Sequence, residues 1–554
     1  MNLTHQLLLA LKARGATEIF GIPGDFALPL FGAIEKAAVL PLHTLSHEPG
    51  LGFAADAAAR ARGGLGVAAV TYGAGALNMI NPMAAAYAER VPLVLLSGAP
   101  AVHEANSGLL LHHQVKTLDS QWRLLEEVTV DRARLDDVRT APALIARVLD
   151  QALRRAAPVY LEIPRDMPMQ LCGPVGSWPL EAVDPERLAA CADELLERLR
   201  RAQRPFILVG VEIRRYGIED KVAELARRLG IPLATTLMGR GLLSQTDCPT
   251  LGTYLGLAGD PALSEQVESS DGLLLLGAIV SDSNFAVSSQ RIDFRHAIRV
   301  WQGQVEMGHH VYQGIPIADL VKALLSRLSP TPERNQPAQA PNPPEMEPRD
   351  LQAAEAQQAL CPAAIAAALN QLMRLHGPMP VACDVGDCLF TALDLLPTDL
   401  LAPGYYATMG YGVPAGLGLQ VATGCRPLVL VGDGAFQMTG WELGNARALN
   451  CDPIVLLFNN ASWEMLRTFQ PESHFHDRGE WDFASMAAGM GGKGYRVDTI
   501  AELVQALALA HAERGRFQLL DIRLAPGAIS PTLRRFVAAV KRLSMPDVAG
   551  KTAD

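Results

Sequence analysis

The chain lacks a run of ~18 apolar residues, so no segment of it is suited to cross a membrane as a helix. Its eight cysteines are scattered, with no CxxC pair and no histidine spacing that would make a zinc site. That excludes a disulfide scaffold and a zinc module, and it predicts reduced thiols in a cytoplasmic protein. Cys383 and Cys388, which flank a polar turn, read as packing residues. The opening residues MNLTHQLLLALKARG have no basic leader region, and Leu3, Leu7, Leu8 and Leu11 share one face, which predicts an amphipathic first helix rather than a signal peptide. Basic charge is short as well. A formal net charge of -10 and a pI near 5.8 exclude nucleic acid and anionic membrane as main partners and serve solubility. What is present is 554 residues, 49% hydrophobic and 19% charged, the profile of a well-buried globular chain of about two to four domains.

The chain is organised around Leu428 to Leu466, LVLVGDGAFQMTGWELGNARALNCDPIVLLFNNASWEML. One apolar run, Leu428 to Val431, stops at Gly432-Asp433-Gly434, and a second, Ile454 to Phe458, stops at Asn459-Asn460. With a helical pattern between them (Trp441, Leu443, Ala446, Leu449), the segment reads as a βαβ unit. Ligands in open α/β sheets sit outside the carboxyl ends of the strands, which brings Asp433 and Asn460 to one rim. A carboxylate and a carboxamide oxygen converging there suit a hard cation such as Mg2+. Gly432 and Gly434 permit a sharp turn and a close approach to a ligand, and the amides that open the next helix favour an anion, so a magnesium diphosphate would satisfy both halves. Taken singly, GDG is a tight turn and NN a loop.

With 24 residues between them, the two motifs resemble the GDG…NN signature of thiamine diphosphate (ThDP) enzymes. The resemblance implies a metal held by Asp433, Asn460 and the main-chain carbonyl of Ser462. Upstream, residues 1–185 alternate helices with short apolar strands (Glu18 to Gly21, Pro41 to Leu45, Val67 to Thr71, Val91 to Leu96, Val159 to Glu162) in a parallel doubly wound pattern. Asp25, at the tip of a Gly/Pro turn, reads by itself as a turn residue or helix N-cap. Glu48, in Ser46-His47-Glu48 ahead of the Ala-rich GFAADAAAR, reads as a first-turn carboxylate favoured by the helix dipole. The resemblance gives Glu48 a hydrogen bond to N1′ of the aminopyrimidine, favouring the imino form that takes the proton from C2. Thr71 to Ala76, TYGAGA, resembles the family's TxGxG loop, where backbone passes close to the cofactor. Adjacent histidines diverge in a helix or strand, but in a loop His112 and His113 can both reach a site, and imidazoles titrate where neutral-pH proton transfer is needed. Non-oxidative 2-keto acid decarboxylases carry such a pair with an early Asp, whereas acetohydroxyacid synthases lack it.

Residues 186–328 carry a second α/β pattern, with strands expected at Phe206 to Val211, Leu233 to Thr236, Gly272 to Val280 and Ile298 to Trp301. No GxGxxG follows the first of them, so nucleotide binding is unsupported, and the family has a mostly architectural domain here. Arg214-Arg215 reads as a solvated pair, with an effector site as the alternative. Residues 329–360, which include SPTPERNQPAQAPNPPEMEP, read as a linker. In residues 361–554 the resemblance assigns Gly386 and Asp387 to the diphosphate, Met409 to an apolar support beneath the cofactor rings, and the Ala407 carbonyl to the cofactor's amino nitrogen. A C-terminal amphipathic stretch, Thr532 to Leu543, is expected either to close over the pocket with Phe536 or simply to pack.

One position departs from pyruvate decarboxylases, which have a glutamate six residues after the second Asn; here it is Leu466. Glu464, ~200° away on a helix that starts there, is not an obvious substitute. Asp282, at the end of LGAIVSDSN, is the better candidate. The loss makes the pocket more apolar, and together with YGAGALN, GLLLHHQ, GDCLFTA and NNASWEMLRTFQPES it makes the chain resemble bacterial phenylpyruvate and indole-3-pyruvate decarboxylases. The resemblance implies an α/β fold of three doubly wound parallel-sheet domains: pyrimidine-binding, middle and diphosphate-binding. It further implies a ThDP- and Mg2+-dependent lyase that decarboxylates an aromatic 2-keto acid, with Asp25, Glu48, His112, His113 and Asp282 catalytic. Glu48 and the GDG motif of one site come from different subunits in that family, so a homodimer is the minimum and a homotetramer is expected. The alternatives are an acetolactate-synthase-like carboligase and a non-catalytic ligand-binding homologue.

Overall fold

The computed structural model describes residues 1–104, 107–179, 182–285, 292–330, 332 and 360–544. Its strands form three six-stranded sheets. The first comprises β1 (Ile19–Gly21), β2 (Leu42–His43), β3 (Gly66–Val70), β4 (Leu93–Ala99), β5 (Asp131–Arg134) and β6 (Val159–Pro164), all parallel, in the order β2-β1-β3-β4-β6-β5. Its inner strands are buried along their whole length because helices cover both faces, which is why they read as continuous apolar runs. The polar edge strand β5, sequence DRAR, carries no such run and escapes a hydrophobicity reading; Arg132 and Arg134 lie over the Trp122 ring at 4.4 and 5.2 Å.

The middle sheet holds β7 (Pro205–Val209), β8 (Leu233–Thr235), β9 (Gly272–Leu276), β10 (Ile298–Trp301), β11 (Gln304–Met307) and β12 (His310–Gln313). Only its first four strands are parallel; β11 and β12 add an antiparallel edge turned at Gly303 and Gly308, both at positive φ. β9 ends short of the expected Val280, since Gly277 turns the chain at φ +66°. The third sheet is β13 (Val381–Cys383), β14 (Leu400–Leu401), β15 (Leu428–Gly432), β16 (Ile454–Asn459), β17 (Lys493–Val497) and β18 (Gln518–Arg523), in the order β14-β13-β15-β16-β18-β17. That repeats the topology of the first sheet. The expected linker 329–360 falls almost wholly outside the described residues.

The first and third sheets are locked together by the helices Glu48–Arg62 and Gly412–Thr423, which share one apolar core. Their approach needs Gly418: a Cβ there would lie 2.7 Å from Ala54 Cα and closer still to its carbonyl oxygen. Beside this crossing, buried Arg60 pairs with Asp56 and Glu89, donates to Ala402 O at 3.2 Å and lies 5.4 Å from the Tyr411 ring. Arg214-Arg215 is not a solvated pair. Arg214 bonds Glu219 and Asp399, and half-buried Arg215 sets its Nε on Arg90 O at 2.8 Å; loss of water around the guanidinium, the largest influence, pushes its pKa down to about 9.

Candidate active site

The same strand ends in two sheets supply two clusters. In the first sheet Asp25 follows β1, Glu48 follows β2, Thr71 follows β3, and the chain after β4 carries His112 and His113. In the third, Asp387 follows β13, Met409 follows β14, Asp433 follows β15 and Asn460 follows β16. In both sheets the first strand lies between the second and the third, so the chain leaves in opposite directions there and a crevice opens at the carboxyl ends.

His112 and His113 lie in a turn outside any helix or strand, with His113 at φ +64°. That lets two neighbours face one cluster. His112 Nε2 bonds Asp25 Oδ2, His113 Nδ1 bonds Tyr72 O at 3.0 Å, and the two imidazole centroids are 5.1 Å apart. Phe26 stacks on His112 at 4.6 Å. Burial raises the Asp25 pKa, but the bonds from His112 and the Phe26 amide and the nearby imidazoles outweigh it, and the net shift is downward. The cluster is an ionised acceptor beside two proton carriers.

Glu48 opens its helix with Oε2 accepting from Asn78 Nδ2 at 3.0 Å. A Cβ on Gly75 would stand 3.1 Å from Thr71 Cγ2 and 3.4 Å from Glu48 Oε1, which puts all three residues together. Thr71 Oγ1 is buried without a hydrogen-bond partner among the described residues. The turn ahead of Glu48 is fixed from the other domain, since Glu442 accepts the Ser46 amide at 2.8 Å and the His47 amide at 3.0 Å. Burial raises the Glu442 pKa against those amides.

In the diphosphate half, Asp433 is 3% exposed; Oδ1 accepts the Gly434 amide at 2.7 Å and Oδ2 has no partner among the described residues. Burial pushes this carboxyl up to about 6 despite the Gly434 amide and the Arg478 charge. Asn460 Oδ1 accepts the Ser462 amide at 3.0 Å, and the chain bends back through Ala461 at φ +50°. A buried carboxylate oxygen without a donor is costly unless a cation takes it. Asp433, the Asn460 side-chain oxygen and the Ser462 carbonyl make an all-oxygen set that fits Mg2+.

Gly386, at φ +100°, precedes the helix Asp387–Ala392. Asp387 Oδ2 accepts the Ser530 amide at 2.8 Å, Oδ1 is buried without a partner, and burial pushes its pKa up to about 6. Met409 Cε lies 3.7 Å from where a Gly434 side chain would begin, and Ala407 sits at φ +58°. The Met409 turn is held by Asp384, fully buried, which accepts Gly410 N at 3.2 Å and Gly412 N at 2.8 Å. Asp384 and Glu442 are supports that pattern reading passed over, Glu442 within the Leu428 to Leu466 stretch and Asp384 in the polar turn between Cys383 and Cys388; an acid among apolar neighbours was the signal. The helix expected over Trp441 to Leu449 is replaced by a helix Asp433–Thr439 and a 3-10 turn Gly440–Asn445, so Asp433 itself opens the helix.

The structure does not bring Asp282 to these clusters: it is exposed and bonds only the neighbouring Ser283 among the described residues. Glu464, at 5% exposure, turns its Oε1 to the Gly527 amide at 3.1 Å, while Leu466 is 51% exposed. Phe536, on the C-terminal helix Pro531–Ser544, packs on Phe390 at 5.2 Å, immediately behind Asp387. No described hydrogen bond or ion pair joins Glu48 to Asp433, Asn460 or Asp387 within this chain.

Three family models match the chain: thiamine pyrophosphate enzyme, N-terminal TPP binding domain, over residues 1–122; the central domain over 192–328; and the C-terminal TPP binding domain over 384–522. Indole-3-pyruvate decarboxylase of Azospirillum brasilense is 57% identical over 98% of this chain and 99% of its own. Pyruvate decarboxylase of Aspergillus fumigatus is 27% identical over 96% of each chain, and the alpha-keto-acid decarboxylase of Mycobacterium avium 28% over 94% and 93%.

Proposed function

The chain belongs to the thiamine pyrophosphate enzyme family, among its 2-keto acid decarboxylases, and from that premise we propose that it converts an aromatic 2-keto acid, phenylpyruvate or indole-3-pyruvate, to the aldehyde and CO2 with ThDP and Mg2+. The observation that carries this reading is the convergence of Asp25, His112 and His113, whose ligand atoms lie within 4.8 Å of one another beside the Glu48 and Thr71 cluster. ThDP when bound supplies the nucleophilic carbon and the electron sink that decarboxylation requires. Glu48, steadied by Asn78, holds a proton at its carboxylate; Asp433, Asn460 and the Ser462 carbonyl hold the metal; Gly386 and Asp387 border the diphosphate; Met409 and the Ala407 carbonyl support the rings. His112, with Asp25 as its acceptor, and His113, with its Nδ1 held by Tyr72, pass protons to and from substrate. Leu466 keeps the pocket apolar, which favours loss of a carboxylate charge as CO2. Asp282, which opens the short helix Asp282–Phe285 of the middle domain, is the group assigned the late glutamate's role.

The two clusters complete each other between subunits, in a homodimer at least and a homotetramer as the fuller assembly. Met438, Trp441, Leu466 and Phe475, 44–60% exposed on the diphosphate half, and Leu109 and Leu110 near the histidine pair offer the apolar surface for it. Eight unpaired thiols support a cytoplasmic setting, and no described helix is long and apolar enough to cross a membrane. The test is product identification with phenylpyruvate, ThDP and Mg2+. Phenylacetaldehyde and one CO2 per keto acid support the reading; a two-substrate condensation product moves it to the carboligases; binding without turnover leaves a non-catalytic homologue.

A further inference from the structure

Beside the metal half, three buried N–H donors have no acceptor among the described residues: Trp463 Nε1, Arg478 Nε and Gln437 Nε2. The indole lies against the GDG turn, where a Cβ on Gly434 would be 2.5 Å from Trp463 Nε1, so only a glycine leaves that N–H beside the backbone. The Arg478 guanidinium carbon stands 4.6 Å from the centroid of the Trp463 ring. Arg478 also donates its own main-chain amide to Ala461 O at 2.7 Å, between Asn460 and Ser462, and its side chain bonds Gln437 Oε1. Next in sequence to Gly434 is an acceptor likewise unpartnered among the described residues, Asp433 Oδ2. A bare cation would satisfy the acceptor and strand the donors, and a bare anion would do the reverse. A metal-bound diphosphate answers both.

We propose that Trp463 is a ligand of the cofactor, its indole N–H donating to a diphosphate oxygen, and that Arg478 is the positioning residue that stacks on the indole and brings positive charge to the phosphate side. The assignment rests on the ThDP reading above and deepens it with two residues that reading does not use. Main-chain amides and a metal can bind a diphosphate alone; here a side-chain donor and a stacked cation join them.

The test uses the full-length protein freed of cofactor by dialysis against a chelator. ThDP is titrated back at saturating Mg2+, with binding followed by calorimetry and by tryptophan fluorescence, and unfolding of each cofactor-free protein is recorded beside it. Trp463→Phe is expected to weaken ThDP binding at least tenfold and to remove most of the fluorescence change, with cofactor-free unfolding unaltered. Arg478→Gln is expected to weaken binding several-fold and to flatten its salt dependence, with Arg478→Lys between Gln and the parent. Trp463→Phe with the parent's affinity overturns the ligand assignment, and Arg478→Gln with the parent's affinity and salt dependence overturns the positioning role. Should Trp463→Phe destabilise the cofactor-free protein, the Arg478 series decides on the same terms. A parent chain that takes up no ThDP would instead sink the cofactor reading itself.

Discussion

Gly418→Ala tests whether the crossing of Glu48–Arg62 over Gly412–Thr423 couples the two cofactor-binding sheets. The new methyl would stand 2.1 Å from Ala54 O and 2.7 Å from Ala54 Cα and its carbonyl carbon, about 1.3 Å short of ordinary contact at the oxygen, and the obstacle is backbone rather than a side chain that can swing away. Overpacking of this kind costs ~1–3 kcal/mol, and a backbone obstacle belongs at ~3. Alanine in a helix interior returns ~1 kcal/mol of propensity, which leaves a net loss of ~2 kcal/mol, roughly thirtyfold in the folding equilibrium. The helix that must shift begins at Glu48, so ThDP-dependent turnover should fall further than the loss of folded protein explains. The assay is urea unfolding of the full-length protein together with turnover at saturating ThDP. Gly489→Ala is the control, since that glycine ends its helix with nothing within 4 Å and no positive φ, and the substitution should be neutral or slightly stabilising. An unfolding midpoint for Gly418→Ala equal to the parent's would refute the crossing as drawn.

Glu48→Gln keeps the bond to Asn78 but not the proton, so ThDP binding should survive while turnover falls by ~100-fold or more; a variant as active as the parent would remove Glu48 from the mechanism. Asp25 has its pKa held below 3.8, so its contribution is present above that value and is lost only as pH drops through the lower folded one. Asp25→Asn should therefore reduce kcat by a constant factor between about pH 5 and 8, and a displaced acid limb in that variant would contradict the assignment. Asp384→Ala leaves the amides of Gly410 and Gly412 without their acceptor, and the half-saturating ThDP concentration should rise ~10-fold as the Met409 turn loosens; unchanged saturation would show the turn to be self-supporting. Asp282→Asn should lower turnover and change its pH profile if Asp282 replaces the late glutamate, and identical profiles would end that idea.

The inner parallel strands, β15 and β16 above all, were legible in the sequence because burial on both faces makes each an apolar run, and the chemistry stands at their carboxyl ends, where Asp433 and Asn460 were sought. The strands β5, β12 and β17 were not, since an edge position tolerates DRAR, HVYQ and KGYRV and carries no apolar signature, and β11, QVEM, is short and half polar. Arg215 was misjudged for a related reason. Its half-buried position rests on the main-chain carbonyls of Glu89 and Arg90, far off in sequence, which accept from its guanidinium. Asp384 and Glu442 showed in the sequence only as acids among apolar neighbours, because they act on backbone amides, and the unpaired Trp463 donor is a relation that only coordinates reveal.

The most direct test of the account is kcat/KM for indole-3-pyruvate, phenylpyruvate and pyruvate, measured with ThDP and Mg2+ through a coupled alcohol dehydrogenase, with Glu48→Gln alongside. The account predicts aldehyde from both aryl-pyruvates, at least ~10-fold less efficient turnover of pyruvate, and near-complete loss in Glu48→Gln. Pyruvate turned over as well as the aryl substrates would contradict the apolar pocket, and condensation product in place of aldehyde would contradict the roles given to Asp25, His112 and His113.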